Sequence, residues 1–209
     1  MAPSSGLHET EYLKMLDVKK SAFLGYGIMS FADQNDMGRG LPLELKKFNP
    51  RTPTAAQINL LRTAVGGDPN DLTKELVCLN RFSPDHAMFM LIKPRYIDIE
   101  SLHRDPFSSE FLQVRWSACA RDPNTKDVAH LVNGNTRREL CLSLGAAAMS
   151  KLDDVKSKIV ASKGSGPEYH QLLKERSELL TEVRIKTSWI VAFYDQGEAS
   201  TESLRAYTH

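Results

Sequence analysis

An apolar run at 128–132 feeds directly into Asn133-Gly134-Asn135-Thr136-Arg137-Arg138, and a helical run at 139–144 leaves it. The pattern is that of a strand delivered through a tight glycine turn to the start of a helix. Gly134 between two asparagines permits a positive φ, and Asn135 or Thr136 can cap the helix that follows. The first N–H groups of such a helix point outward with partial positive charge, and two guanidinium groups stand beside them. Together they outline an anion site. Read locally, the same residues also fit an ordinary capped turn with solvated arginines.

The rest of the chain supplies strands and helices around this turn. Thr54 with Gln57 makes a capping-box pattern, Ile58, Leu61 and Val65 recur on one face, and Gly66-Gly67 supplies a stop. Arg62 lies off that face and reads as solvated. Residues 41–45, 75–82, 88–92 and 111–120 read as strands, with 88–92 wholly apolar and closed by Pro94. Residues 11–23 are compatible with a short helix that Gly25-Tyr26-Gly27 breaks.

Beyond the turn, the helix at 139–144 is ended or interrupted by Gly145. Leu152, Val155, Ile159 and Val160 fit one further helix face, and Tyr169, Leu172, Leu173, Leu179, Leu180 and Val183 fit another. The flexible stretch Lys163-Gly164-Ser165-Gly166-Pro167 between them allows an antiparallel hairpin, packed on its own domain or offered to a second copy or a partner. Trp189-Ile190-Val191-Ala192-Phe193-Tyr194 is continuous and bulky enough for a central strand that returns the chain to the sheet. From Gly197 the polar tail is expected to be disordered.

Composition narrows the class of protein. The chain has 209 residues, enough for one substantial core or a core with an appended element. A formal net charge of +1 gives no global basic field, so any nucleic-acid contact has to come from a local patch. Cys78, Cys119 and Cys141 are odd in number and far apart, which fits reduced core residues and neither a disulfide framework nor a zinc site. Met88 and Met90 read as core, and His86, His103 and His130 as satisfied or solvated side chains. Residues 1–6 lack a signal-peptide pattern and no apolar run approaches the ~20 residues of a membrane helix. The expectation is an intracellular protein, cytoplasmic or nuclear, with no membrane partner.

The residues His130-Leu131-Val132-Asn133-Gly134-Asn135-Thr136-Arg137-Arg138-Glu139-Leu140 resemble the signature box of the ParB/sulfiredoxin superfamily, where a strand delivers a Gly-x-x-Arg turn to a helix. Upstream, Leu41-Pro42-Leu43-Glu44-Leu45, then Asn49-Pro50-Arg51 and a helix from Ala55, are similar to the opening of the ParB-like nuclease domain. The resemblance spans roughly residues 37–150. It implies an α+β fold, a ParB/sulfiredoxin-like mixed sheet with packed helices, here extended by a C-terminal helical hairpin and a returning strand. The domain reading is an N-terminal extension at 1–36, the ParB-like domain at 37–150, hairpin and strand at 151–196 packed on it, and a tail at 197–209. An insertion is expected around 88–121. Asn135 stands where sulfiredoxins carry their catalytic cysteine, so no sulfiredoxin-type cysteine chemistry is expected, and no helix-turn-helix of the segregation-type ParB proteins is recognised.

Such a box implies a phosphoanion or nucleotide pocket: CTP is bound there in ParB proteins and ATP in sulfiredoxins. The expected contacts are the backbone at Gly134, the N–H groups of Asn135 and Thr136 with the Thr136 hydroxyl, a forked hydrogen bond from Arg137, and Arg138 and Arg51 as further cations. Hydrolysis would require a base or water-positioning group and a Mg²⁺, brought with the nucleotide and held by carboxylate, for which Glu139 and Glu44 are the candidates. No protein metal-site motif is present. A weak nucleoside triphosphatase is therefore one expectation. The alternatives are a DNA-binding or nuclease-like module, in which the arginines meet the phosphates of a strand, and a non-catalytic interaction domain that forms a homodimer through the C-terminal helices.

Overall fold

The computed structural model describes residues 22–32, 41–44, 52–64, 82, 84–106, 111–122, 124–162, 164 and 166–199. Its elements, in chain order, are β1 (Phe23–Ser30), β2 (Leu43–Glu44), α1 (Ala55–Ala64), β3 (Met88–Ile92), β4 (Ala129–Leu131), α2 (Asn135–Ala161), α3 (Pro167–Lys186) and β5 (Ser188–Asp195), with short 3₁₀ turns on either side of β3. Among the described residues the strands form one sheet in the order β1-β5-β3-β4-β2. Neighbours alternate in sense: β1 with β5 and β3 with β4 are antiparallel, whereas β5 with β3 and β2 with β4 are parallel. The fold is a mixed-sheet α+β fold.

As its bulk and continuity predict, β5 lies inside the sheet. Its residues from Trp189 to Phe193 are fully buried, and Trp189 Nε1 donates to the His86 carbonyl at 2.8 Å, so the indole is placed without an orphaned N–H. The apolar run of β3 is buried beside it, and β4 follows at the site of the run at 128–132. Around these strands the main core gathers Leu41, Met88, Met90, Leu131, Leu140, Cys141 and Phe31. Helices α2 and α3 pack on each other through a second cluster of Ala148, Leu152, Val155, Leu172, Leu179 and Val183, joined by Ala32. The hairpin's main apolar stripe is thus consumed within the chain. Val160, Leu173 and Ile185 stay exposed.

Several expectations are corrected. Residues 23–30 are a strand that the sequence reading does not anticipate, paired to β5 from Phe23↔Tyr194 to Ser30↔Ser188, with Gly25 and Gly27 inside it. They are small because a covering segment lies flush on them: an added Cβ would stand 2.8 Å from Leu102 Cβ at Gly25 and 2.6 Å from Val114 Cγ2 at Gly27. The expected strand at 111–120 is instead two isolated bridges, Gln113 to Ile28 and Trp116 to Ile97, followed by a 3₁₀ turn at Ala118–Arg121. Its hydrogen bonds explain this. Leu112 O and Val114 N bond Ile28 on β1, while Arg115 O and Ser117 N bond Asp98 and Tyr96, so the segment divides its backbone between two neighbours and runs along neither.

Gly145 does not end a helix. Helix α2 is continuous for 27 residues, and Gly145 is buried in it because an added Cβ would lie 2.3 Å from Thr187 Cγ2. Thr187 is itself fixed, its hydroxyl donating to Val183 O at 2.8 Å and meeting Ser30 Oγ at 2.7 Å. Of the expected core cysteines, Cys141 is buried but Cys119 is exposed, and Cys78 lies outside the described residues. The expected strand at 75–82 also lies outside them apart from Phe82, as do residues 11–21 and the tail beyond Ala199. Within that tail, Gly197 and Ala199 form an ordered turn, their N–H groups bonded to Asp195 Oδ1 and Asp195 O. No helix of the described residues is long and apolar enough to cross a membrane.

Asp127 ties the approach to β4 back to the end of β3. Its Oδ2 accepts from Lys93 Nζ at 2.8 Å, Tyr96 OH at 2.6 Å and Arg95 Nη2 at 2.9 Å. Those bonds, from Lys93 first, then Tyr96 and Arg95, hold its carboxyl far below the ordinary carboxylate value of 3.8. A carboxylate stabilised in the folded state contributes fully above its unfolded value and loses that contribution as pH falls through its folded one. Acid unfolding of the native chain is therefore expected to steepen below pH 3.8, and Asp127→Asn to be less stable at neutral pH with a flatter acid limb. Melting curves between pH 2 and pH 7 decide it; parallel profiles for the two proteins would contradict the assignment.

Candidate functional site

The turn after β4 is built from both flanks. Val132 N donates to Phe89 O at 2.8 Å, and Phe89 N donates to Asn133 Oδ1 at 2.8 Å, so the Asn133 side chain stitches the turn onto β3. The next residue needs the left-handed region, and Gly134 takes φ 88° and ψ 19° there. Space also demands glycine, since an added Cβ would lie 2.3 Å from Met88 Cγ. Helix α2 begins at the following residue. Gly134 itself stands in the cap position and has no side chain to offer, so neither Asn135 nor Thr136 is the cap residue that the sequence suggests.

Without a cap, the N–H groups of Thr136 and Arg137 have no partner inside the helix and keep their partial charge. The first helical bond is Arg138 N to Gly134 O, at 2.9 Å. A cavity of about 220 Å³ opens at this end, lined by Leu61 of α1 and by Gly134, Asn135, Thr136 and Arg137. Four of the six residues expected to bind phosphate are thus brought together. Arg138 lies on the same helical turn outside that lining and holds the Glu139 carboxylate with Nη1. Arg51 lies outside the described residues.

Electrostatics at the helix start are one-sided. Burial lowers the pKa of Arg137 below the usual guanidinium value, a sign that its charge is poorly solvated. Among the described residues its Nε, and that of Arg138, are buried without a hydrogen-bond partner. Arg62 departs most from the sequence reading. It is 4% exposed, and its Nε and Nη1 also lack partners among the described residues. Ile58, Leu61 and Arg62 form the inward arc of α1, which packs against α2, so Arg62 sits one turn beyond Ile58 on the buried face. The capping box that starts α1 is present, with Gln57 N donating to Thr54 Oγ1 at 3.3 Å and Thr54 N to Gln57 Oε1 at 2.8 Å. Sequence periodicity fixes where that face lies, but a charged residue on it reads as solvated by default.

The two carboxylates considered for catalysis are already engaged. Glu139 is paired with Arg138, and Glu44 Oε2 stands 3.0 Å from His130 Nδ1, its register partner across β2 and β4. Among the described residues no group of three or more His, Cys, Asp or Glu could hold a metal ion. The arrangement can bind an anion through backbone and guanidinium donors. Among the described residues it presents no spare carboxylate beside them for a chain-held Mg²⁺. No protein-family model, curated protein or solved structure matches the chain.

Proposed function

We propose that the chain is a phosphoanion-binding domain of the ParB-like type that takes the phosphate tail of a nucleotide, CTP or ATP, at the N-terminus of α2. One observation carries the reading: a helix start with glycine in the cap position opens on a cavity of about 220 Å³ that is lined by Arg137, whose buried Nε has no partner among the described residues. Donors of this kind favour an anion. Gly134 lets a phosphate approach the backbone, Thr136 adds an N–H and a hydroxyl, and Arg137 supplies the charge. Arg51 and Arg138 complete the cationic surroundings in the reading by resemblance. Mg²⁺ would enter bound to the nucleotide phosphates. Glu139 is paired with Arg138 and Glu44 stands beside His130, so binding is the function we assign, and weak triphosphatase turnover is the secondary reading.

Salt dependence separates this pocket from a DNA-binding or nuclease-like surface. A nucleotide held by a few donors should lose affinity gently as salt rises, whereas a surface neutralising 6–10 backbone phosphates loses roughly 10³–10⁵-fold between 50 and 200 mM salt. Fluorescence anisotropy with labelled ATP, CTP and a single-stranded oligonucleotide, over that range, is expected to show nucleotide binding with a shallow slope. A steep slope for the oligonucleotide with no nucleotide binding would overturn the assignment in favour of nucleic acid.

A further inference from the structure

We propose that Arg62 is the specificity-determining residue of the site, selecting a polyvalent phosphoanion such as pyrophosphate, or the phosphate tail of a nucleotide, over a single phosphate. The inference rests on the anion reading of the α2 N-terminus and adds to it a residue on a different helix. A guanidinium that is 4% exposed and has no partner at Nε or Nη1 among the described residues is a buried, uncompensated charge. Such a charge is costly, and a fold keeps it when a counter-charge joins it in the working state.

The position of Arg62 indicates which counter-charge. Leu61, the preceding residue, lines the cavity together with Gly134 to Arg137, and Arg62, outside that lining, follows it on the face of α1 turned to α2. Arg62 on α1 and Arg137 on α2 both carry buried guanidinium nitrogens without partners among the described residues, and an anion between the two helices would satisfy them. Among the described residues no carboxylate is paired with Arg62: Glu139 is held by Arg138, and Glu44 stands 3.0 Å from His130 Nδ1. The helix N–H groups and Arg137 suffice for one phosphoryl group. A second phosphoryl brings its own charge toward Arg62. The cavity, about 220 Å³, has room for more than one phosphoryl group.

The test is calorimetric titration of the full chain with inorganic phosphate and with pyrophosphate at constant ionic strength, for the native protein, Arg62→Met, Arg62→Gln and Arg137→Ala. The native chain is expected to bind pyrophosphate at least about tenfold more tightly than phosphate. Both Arg62 variants should retain phosphate binding and lose that preference, and without anion they should melt at or above the native temperature, because an unpaired buried charge has been removed. Retention of the pyrophosphate preference in either variant would overturn the role of Arg62. So would a marked loss of anion-free stability in both variants, since that would contradict an uncompensated charge. Failure of the underlying reading looks different: the native chain would bind neither anion, or Arg137→Ala would bind both unchanged.

Discussion

Gly134→Ala is expected to destabilise the chain by about 2–5 kcal/mol and to remove anion binding with it. Two costs combine. An L-residue in the left-handed region loses roughly 1–2 kcal/mol, and Gly134 has φ 88°. The added methyl also overlaps Met88, 2.3 Å from its Cγ and 2.7 Å from its Sδ, where overpacking typically costs 1–3 kcal/mol. Met88 is fully buried on β3, so it cannot swing its side chain into solvent to make room. For a chain of this size such a loss lowers the melting temperature by roughly 4–20 °C. Thermal denaturation of Gly134→Ala, Met88→Ala and the double variant separates the causes. Relief of the overlap makes the double variant more stable than the sum of the singles predicts. Strict additivity, or a melting temperature within a degree of native for Gly134→Ala, would contradict the turn described.

The elements written most plainly in the sequence are those whose burial depends on apolar pattern alone. Strands β3 and β5, helix α1 with its Thr54–Gln57 capping box, and the α2–α3 hairpin all follow from runs or stripes of apolar residues. What the pattern hides are residues selected by a distant neighbour. Gly25 and Gly27 look like breakers, yet they are strand residues made small by Leu102 and Val114, more than seventy positions away in sequence. Gly145 looks like a helix stop and is instead the point where α2 touches Thr187. The segment at 111–120 has strand-like composition, but its backbone partners belong to two different elements, and periodicity carries no record of that.

Legibility in the candidate site follows the same division. The β4–Gly134–α2 arrangement is local, so Gly134, Asn135, Thr136 and Arg137 can be grouped from their order along the chain. The missing side-chain cap and the pairing of Arg138 with Glu139 depend on local geometry that several sequences would satisfy. Arg62 is not recognisable from its own helix. Its position one turn from Ile58 is plain in the sequence, but the signal that matters is a guanidinium on the buried face whose Nε and Nη1 have no partner among the described residues, and that arises only where α1 docks on α2.

Arg137→Ala carries the second large effect, and here the loss is in binding and not in the fold. Arg137 has a buried Nε with no partner among the described residues, so truncating it sacrifices no hydrogen bond at that atom and should leave anion-free stability close to native. With ligand the situation reverses. A nucleotide at about 100 times its Kd stabilises the native chain by roughly 2.7 kcal/mol. Loss of one charge-assisted hydrogen bond, about 1.5–3 kcal/mol, weakens binding by roughly 10–150-fold. At the same concentration the variant then keeps only about 0.3–1.4 kcal/mol of that stabilisation.

The most direct measurement is the melting temperature of the native chain and of Arg137→Ala, each alone and with ATP or CTP, with and without Mg²⁺. The account predicts that at least one nucleotide raises the native melting temperature by roughly 5–10 °C, and that Arg137→Ala, folded as well as the native chain, loses about half of the rise or more. An unchanged native melting temperature with every nucleotide, or an equal rise in both proteins, would contradict the phosphoanion site at the start of α2.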